Sequence, residues 1–115
     1  MVNLSDLIIY KKALNLIVKV YKLIHNYPRL VKDYSLCDQL KRACISVAVN
    51  ISEGYLRSQK QFLYYLDVSS GSSNEMITLL TVVELVYKIN TKELIEEYLY
   101  LGKQIKAFSK RFKMR

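Results

Sequence analysis

The sequence contains few residues of the types that do chemistry, and they are not arranged for it. His25 is the only histidine, and no motif places beside it a partner for proton transfer or nucleophilic catalysis. It lies near the end of a predicted helix, where an imidazolium would suit the helix dipole. We expect His25 to be structural or solvated, and we predict that the protein is not an enzyme.

The two cysteines, Cys37 and Cys44, are the other reactive side chains. Their separation on one predicted helix is a rise of roughly 10 Å, which is beyond the reach of a disulfide. They lack the spacing of a zinc site, and the chain has neither the Glu-x-x-His pairs of a di-iron centre nor a glycine-rich phosphate loop. We predict small core cysteines of a cytoplasmic protein, with no metal and no cofactor.

Positive charge is the strongest chemical feature of the sequence. The formal net charge is +8, which suggests an anionic partner. From Lys103 onward there are six basic residues and no acidic one. Four lysines in this stretch recur at steps of three and four residues, which places them on one helix face. RNA or DNA is the predicted partner, and a solvated basic tail that complements the helix dipole is the alternative.

The elements that must position these lysines are helices of a single domain, residues 1–115. Three glycines and one proline in the whole chain favour long helices. The first helix is predicted from about Asp6, capped by Ser5, to about Asn26, where Pro28 blocks its continuation. A loop is expected over residues 27–35.

The central stretch QLKRACISVAVNISEGY, residues 39–55, predicts a core helix. Ser35 and Asp38 suit its start, and Gly54 suits a left-handed cap at its end. Its apolar residues recur at helical spacing and are predicted to be buried: Leu40, Ala43, Cys44, Val47, Ala48 and Ile51.

Two further helices complete the domain. Ser58 and Gln61 form a capping box for the third, and the fourth begins near Asn90 or Thr91. The fourth has a 4-3-4-3-4 apolar seam that is typical of left-handed bundle packing: Leu94, Tyr98, Leu101, Ile105, Phe108 and Phe112. Four helices with short connections predict an all-α, up-down-up-down antiparallel four-helix bundle.

This topology brings positive charge together at one end of the bundle. The end of the fourth helix should lie beside the start of the first and beside the turn between the second and third. The predicted nucleic-acid-binding residues are Lys11, Lys12, Arg57, Lys60, Lys103, Lys106, Lys110, Arg111 and Lys113.

Polar residues of the central helix need partners. In an antiparallel pair with the third helix, facing residue numbers sum to roughly 113 to 117, so Arg42 would lie near Glu75 and Glu53 near Lys60. We interpret these as register-fixing pairs. A ligand or partner site is the alternative.

The first helix carries two apolar stripes, whereas a monomeric bundle needs one. The surplus predicts burial against another subunit, because soluble monomers rarely expose a large apolar patch. The aliphatic members of one stripe are the predicted oligomer interface: Ile9, Leu16, Val20 and Leu23. A closed ring is the simplest way for a head-to-tail contact to terminate.

The central stretch resembles the motif QLRRAAxSIxxNIAEG of the small bacterial four-helix-bundle proteins first noticed as products of intervening sequences in 23S rRNA genes. The likeness extends to DLIIYKKALNLIVKVYKL before it and SQKQFLYYLDVSSGSSNEMITLL after it. Val49, Ser52 and Ser35 depart from the family pattern. The resemblance implies one continuous third helix through the serine-rich residues 69–74, which turn rules alone would break.

The resemblance also implies a homopentamer and a suspected nucleic-acid role. The fold is similar to that of retroelement accessory proteins, which hold a reverse transcriptase, so a protein-interaction scaffold is the alternative function. Peripheral membrane attachment is less favoured, because the apolar faces are needed for the core.

Overall fold

The chain forms a bundle of four long helices with one short helix at a corner. The computed structural model describes residues 3, 4 and 7–113. Its helices are α1 (Ile8–Asn26), α2 (Pro28–Val31), α3 (Tyr34–Tyr55), α4 (Gln59–Tyr87) and α5 (Lys92–Lys113). The helix α1 packs on α3 and α5, and α4 packs on α3 and α5, so the four close into a ring of neighbours. The predicted all-α four-helix bundle is confirmed, while the predicted cap at Ser5 and start at Asp6 lie outside the described residues.

The connection between the first two long helices is more ordered than a loop. Pro28 begins α2, because proline has the backbone angle of a first helical residue and needs no amide partner there. Leu30 of this turn is fully buried. The cap of α3 is Asp33, not Ser35, and its carboxylate accepts the Leu36 amide at 3.1 Å. The other carboxylate oxygen accepts the Tyr87 hydroxyl at 2.5 Å, which joins the start of α3 to the end of α4.

The remaining helix starts fall where the sequence predicts them. Ser58 caps α4 by accepting the Gln61 amide at 3.3 Å. At the start of α5, the Asn90 side chain accepts the Lys92 amide at 3.0 Å. The Thr91 hydroxyl donates to the Leu80 carbonyl at 2.9 Å. The Ser58 and Asn90 caps satisfy amides that have no partner within their own helix, and the Thr91 bond joins the start of α5 to α4.

The predicted core of the central helix is confirmed, since all six of its predicted apolar residues are buried in α3. Both cysteines are free and buried. The Cys37 thiol donates to the Leu30 carbonyl at 3.0 Å, and the Cys44 thiol to the Lys41 carbonyl at 3.3 Å. They pack as small core residues, as predicted.

The serine-rich segment, residues 69–74, is helical throughout and lies inside α4. The Ser69 hydroxyl donates to the Val47 carbonyl of α3 at 2.6 Å, and the Ser73 hydroxyl to the Tyr98 carbonyl of α5 at 2.7 Å. Both serines are fully buried. Short side chains let the neighbouring backbones approach, and each hydroxyl is satisfied by a carbonyl of another helix. Turn rules fail here because they use only the local sequence and do not include hydrogen-bond partners on other helices.

The predicted role of Gly54 is wrong. It has no left-handed backbone angle, and α3 continues to Tyr55. A β-carbon built at Gly54 would lie 2.8 Å from the Tyr65 β-carbon and 3.2 Å from the Phe62 α-carbon. Gly54 is therefore required for the close approach of α3 and α4. The left-handed cap is at Lys88, with φ of 58°, at the end of α4.

The apolar faces of α1 are arranged differently from the prediction. Ile9, Leu16 and Val20, predicted at a subunit boundary, are buried in the bundle's own core, and Leu23 is half-buried. This aliphatic stripe includes the small Ala13, which permits a close approach to a neighbouring helix, whereas the tyrosines of the other stripe, Tyr10 and Tyr21, are half-buried. The apolar residues that α1 exposes are Ile8, Leu14 and Val18.

The glycines provide a matched test of this packing. We expect Gly54→Ala to destabilise the protein by about 1–3 kcal/mol, because the added methyl group must push α3 and α4 apart. Gly71→Ala is the control: a β-carbon there meets nothing within 4 Å, so better helix propensity should stabilise by about 0.5–1 kcal/mol. Urea unfolding measures both, and equal effects of the two substitutions would contradict the packing role of Gly54.

Candidate nucleic-acid interface

The outer face of α5 near its end carries the main concentration of positive charge. Five cations of this segment are exposed, and none of them forms an ion pair within the described residues. The opposite face of the same helix is in the core through Tyr98, Leu101 and Ile105. Since the helix is fixed by that core face, its cations are held on the surface as a group: Lys103, Lys106, Lys110, Arg111 and Lys113.

The turn between α3 and α4 lies beside the end of α5, as predicted. The Gln59 side-chain amide donates to the Phe112 carbonyl at 3.2 Å. The Phe62 ring packs edge-to-face on Phe108 and Phe112, with centroids 6.0 and 5.0 Å away. Lys60 is exposed in the first turn of α4. These contacts bring Lys60 to the same end of the bundle as the α5 cations.

The predicted inter-helix charge pairs do not form. Arg57, in the same turn, pairs with Glu53 one helical turn earlier, and its guanidinium lies 5.3 Å from the Tyr65 ring centroid. Glu53 therefore does not pair with Lys60. Arg42 lies 4.0 Å from Asp38 on its own helix rather than pairing with Glu75.

The predicted register is nevertheless close to the observed one, since Ser69 contacts Val47 and Ser46 contacts Ser72 at 2.8 Å. Long exposed side chains reach a partner one turn away at little entropic cost, and that local choice competes with a partner on another helix. Arg42 and Glu75 both line a polar groove between α3 and α4.

Two of the lysines on α1 have different roles. Lys11 is exposed, whereas Lys12 contacts Glu97 of α5 at 3.4 Å. Lys19, two turns along α1, contacts the same carboxylate oxygen at 2.8 Å. Lys12 is therefore part of a clamp between α1 and α5 that also contains Lys19 and Glu97, and its charge is not free for phosphate.

The clamp is reflected in the pKa values of its members. Burial opposes ionisation of Glu97, but the hydrogen bond and charge of Lys19, together with those of Lys12, outweigh it and lower the pKa of the carboxyl. The hydrogen bond to Glu97 raises the pKa of Lys19. Both shifts favour the ionised pair at neutral pH.

A groove of about 580 Å³ between the first turn of α1 and the last turns of α5 is a feature that sequence reasoning missed. Apolar side chains from both helices line it, including Ile8, Tyr100 and Phe108, and Lys103 and Arg111 lie among them. The signal in the sequence was the i, i+3 spacing of Tyr100 and Lys103, which puts an aromatic ring next to a cation.

The groups considered for catalysis are placed as follows. His25 is exposed, with its ring edge-on to Tyr21. Burial raises the pKa of the Cys44 thiol to about 11, so the thiol is protonated at neutral pH and is a poor nucleophile. Within residues 3, 4 and 7–113, no cluster of three histidine, cysteine or carboxylate side chains could hold a metal ion. In the same part of the chain, no helix has the length and apolar character to span a membrane.

Comparison with known proteins identifies the family. The family model for the 23S rRNA-intervening sequence protein matches residues 5–110. The chain belongs to this family. No curated protein matches it.

A solved structure supports the fold of this 23S rRNA-intervening sequence family member. It is a protein of unknown function from the S23 ribosomal protein family of Bacteroides thetaiotaomicron, and it is 19% identical. The similarity has a TM-score of 0.80 and covers 90% of this chain and 99% of the other. At this identity the likeness concerns the fold.

The two neighbouring lysines of α1 test the clamp. We expect Lys12→Gln to lower the free energy of unfolding by up to about 1 kcal/mol at neutral pH, while Lys11→Gln, with the same change of charge, has little effect. The difference in free energy of unfolding between the two variants should be present above the ordinary pKa of a glutamate. It should disappear as pH falls through the lowered pKa of Glu97, because protonation removes the charge that Lys12 contacts. Thermal unfolding across pH measures it, and a difference that does not vary with pH would contradict the clamp.

Proposed function

We propose that this protein is a non-enzymatic, oligomeric binding protein of the cytoplasm that contacts the phosphate backbone of RNA or DNA. The observation that carries the proposal is the group of five exposed cations on α5, which have no ion-pair partner in the described chain. Lys60 adds to this surface from the α3–α4 turn and Lys11 from α1. We call these seven residues the basic end: Lys11, Lys60, Lys103, Lys106, Lys110, Arg111 and Lys113.

The composition of the basic end determines the kind of binding to expect. Six of its seven members are lysines, which meet phosphate as point charges and read no base sequence. Binding should therefore be weakly specific and should fall steeply with salt, because each neutralised phosphate releases counterions.

A matched pair of triple variants tests the proposal. Replacing Lys103, Lys106 and Lys110 with glutamine should weaken binding to every RNA or DNA sequence. The slope of log K against log salt should fall by about 0.7 to 0.9 for each phosphate that the variant no longer neutralises. Fluorescence anisotropy with labelled RNA and DNA from low to physiological salt measures both quantities.

The control removes the same charge from the opposite end of the bundle. Lys22, Lys32 and Lys92 are exposed near the end of α1, beside α2 and at the start of α5. Their triple glutamine variant should keep most of the affinity and the slope. Equal effects of the two triple variants would mean that net charge alone binds nucleic acid, and an unchanged slope in the first would remove the basic end from the interface.

The proposed oligomer uses an apolar face that the structure leaves exposed. Leu14 and Val18 lie one turn apart on α1, and Ile45 and Val49 one turn apart on α3, all exposed. The contact of Lys41 with the Tyr21 ring, at 5.2 Å, indicates an antiparallel register in which these two pairs lie at the same level. A second copy of the chain would bury this α1–α3 face, and a closed pentamer is the assembly that the family resemblance suggests.

Light scattering tests the assembly. The protein should be oligomeric at micromolar concentration, and Val18→Glu should dissociate it, because the new carboxylate would have to be buried without a partner. Leu85→Glu, at an exposed leucine of α4, is the control and should leave the mass unchanged. A monomeric wild-type protein would contradict the proposal, and a dimer would contradict the pentamer.

The second candidate function is a protein-interaction scaffold, such as a partner of a retroelement reverse transcriptase. The same α1–α3 face supports it, since an exposed apolar patch is what a protein partner would cover. Absence of any nucleic-acid binding at low salt would favour the scaffold over the nucleic-acid function.

A further inference from the structure

The groove between α1 and α5 combines two chemical properties that a purely phosphate-binding surface does not need. Two of its apolar side chains are largely exposed: Ile8 is 71% exposed and Tyr100 is 59% exposed. Lys103 and Arg111 lie at the same groove and belong to the basic end. An apolar wall beside cations suits a ligand that has both flat apolar groups and negative charge.

A buried acceptor lies in the wall of the groove. The carboxamide oxygen of Gln104 is buried and has no hydrogen-bond partner within the described residues. Gln104 lines the groove together with Tyr100 and Lys103. Because this oxygen has almost no accessible surface, it does not meet a ligand in this conformation, and the inference rests on Tyr100, Lys103 and Arg111.

We infer that this groove binds single-stranded nucleic acid, with a base against Tyr100 and the flanking phosphates at Lys103 and Arg111. The inference rests on the proposed function and deepens it. A single strand exposes base faces, which stack on aromatic rings, whereas a duplex keeps its bases stacked on one another and offers mainly phosphates. From Tyr100 to Arg111 the helix rises about 16 Å, enough for a short run of nucleotides.

The expected behaviour differs from that of a lysine surface alone. A single strand should bind more tightly than a duplex of the same sequence and length. Tyr100→Ala should weaken single-strand binding about 5- to 140-fold, the effect of removing one base–aromatic stack, and should leave duplex binding unchanged. Because a ring carries no charge, this variant should leave the salt slope unchanged, while Lys103→Gln should reduce it.

The experiment uses three probes: a 12-nucleotide single-stranded RNA, the DNA of the same sequence, and its 12-base-pair duplex. Anisotropy titrations of the full chain are made with each probe at several salt concentrations. Tyr34→Ala is the matched control, because Tyr34 is 79% exposed at the opposite end of the bundle. Both tyrosines are on the surface, so neither truncation should disturb the core, and a thermal melt of each variant verifies this.

The outcomes separate this inference from the proposed function. Tighter binding of the single strand than of the duplex, with a preference that Tyr100→Ala removes and Tyr34→Ala preserves, supports the groove. Equal binding of single strand and duplex, unaffected by Tyr100→Ala, overturns the groove but leaves the basic end as the binding surface. If Tyr100→Ala changes the oligomeric mass in light scattering but preserves binding, the inference is overturned, and the occupant of the groove is a second copy of the chain. No binding of any probe at low salt overturns the proposed function itself.

Discussion

The close approach of α4 to both of its neighbours is the constraint on which the structure depends. Serine hydroxyls at buried positions of α4 donate to a carbonyl of α3 on one side and a carbonyl of α5 on the other. Gly54 permits the same proximity where α3 turns into α4. Bulky apolar residues at these positions would separate the helices, and unsatisfied hydroxyls would be costly. Small residues with satisfied hydroxyls meet both requirements and fix α5 in place.

With α5 fixed in place, one of its faces packs in the core and the other carries exposed cations. Tyr98, Leu101 and Ile105 anchor the helix in the core, so the cations on the other face stay together on the surface. The cations of α1 and α5 therefore differ in their surroundings. Lys12 and Lys19 neutralise Glu97 and join α1 to α5, whereas the cations of the basic end form no ion pair within the described residues. Net charge alone would not distinguish these roles.

Much of the fold could be predicted from the sequence, because spacing at three and four residues records which helix faces are buried. The seam of α5, the core of α3 and the Ser58 cap all follow from such local patterns. Details that depend on competition between similar neighbours could not be predicted. Asp33 caps α3 instead of Ser35, and Arg57 instead of Lys60 takes Glu53 as a partner. The predicted subunit boundary on α1 was wrong because periodicity does not say which of the two stripes faces inward. Predicting the basic end required the order and direction of the helices as well as the positions of the charges.

Photo-cross-linking tests the central claim, that nucleic acid binds at the basic end of the bundle, most directly. A single-stranded RNA that contains 4-thiouridine is cross-linked to the full chain at low salt, and mass spectrometry locates the modified peptides. The proposed binding surface predicts cross-links within residues 99–113, with further ones near the start of α1 and in the α3–α4 turn. Cross-links concentrated around α2 or on the α1–α3 face would contradict it.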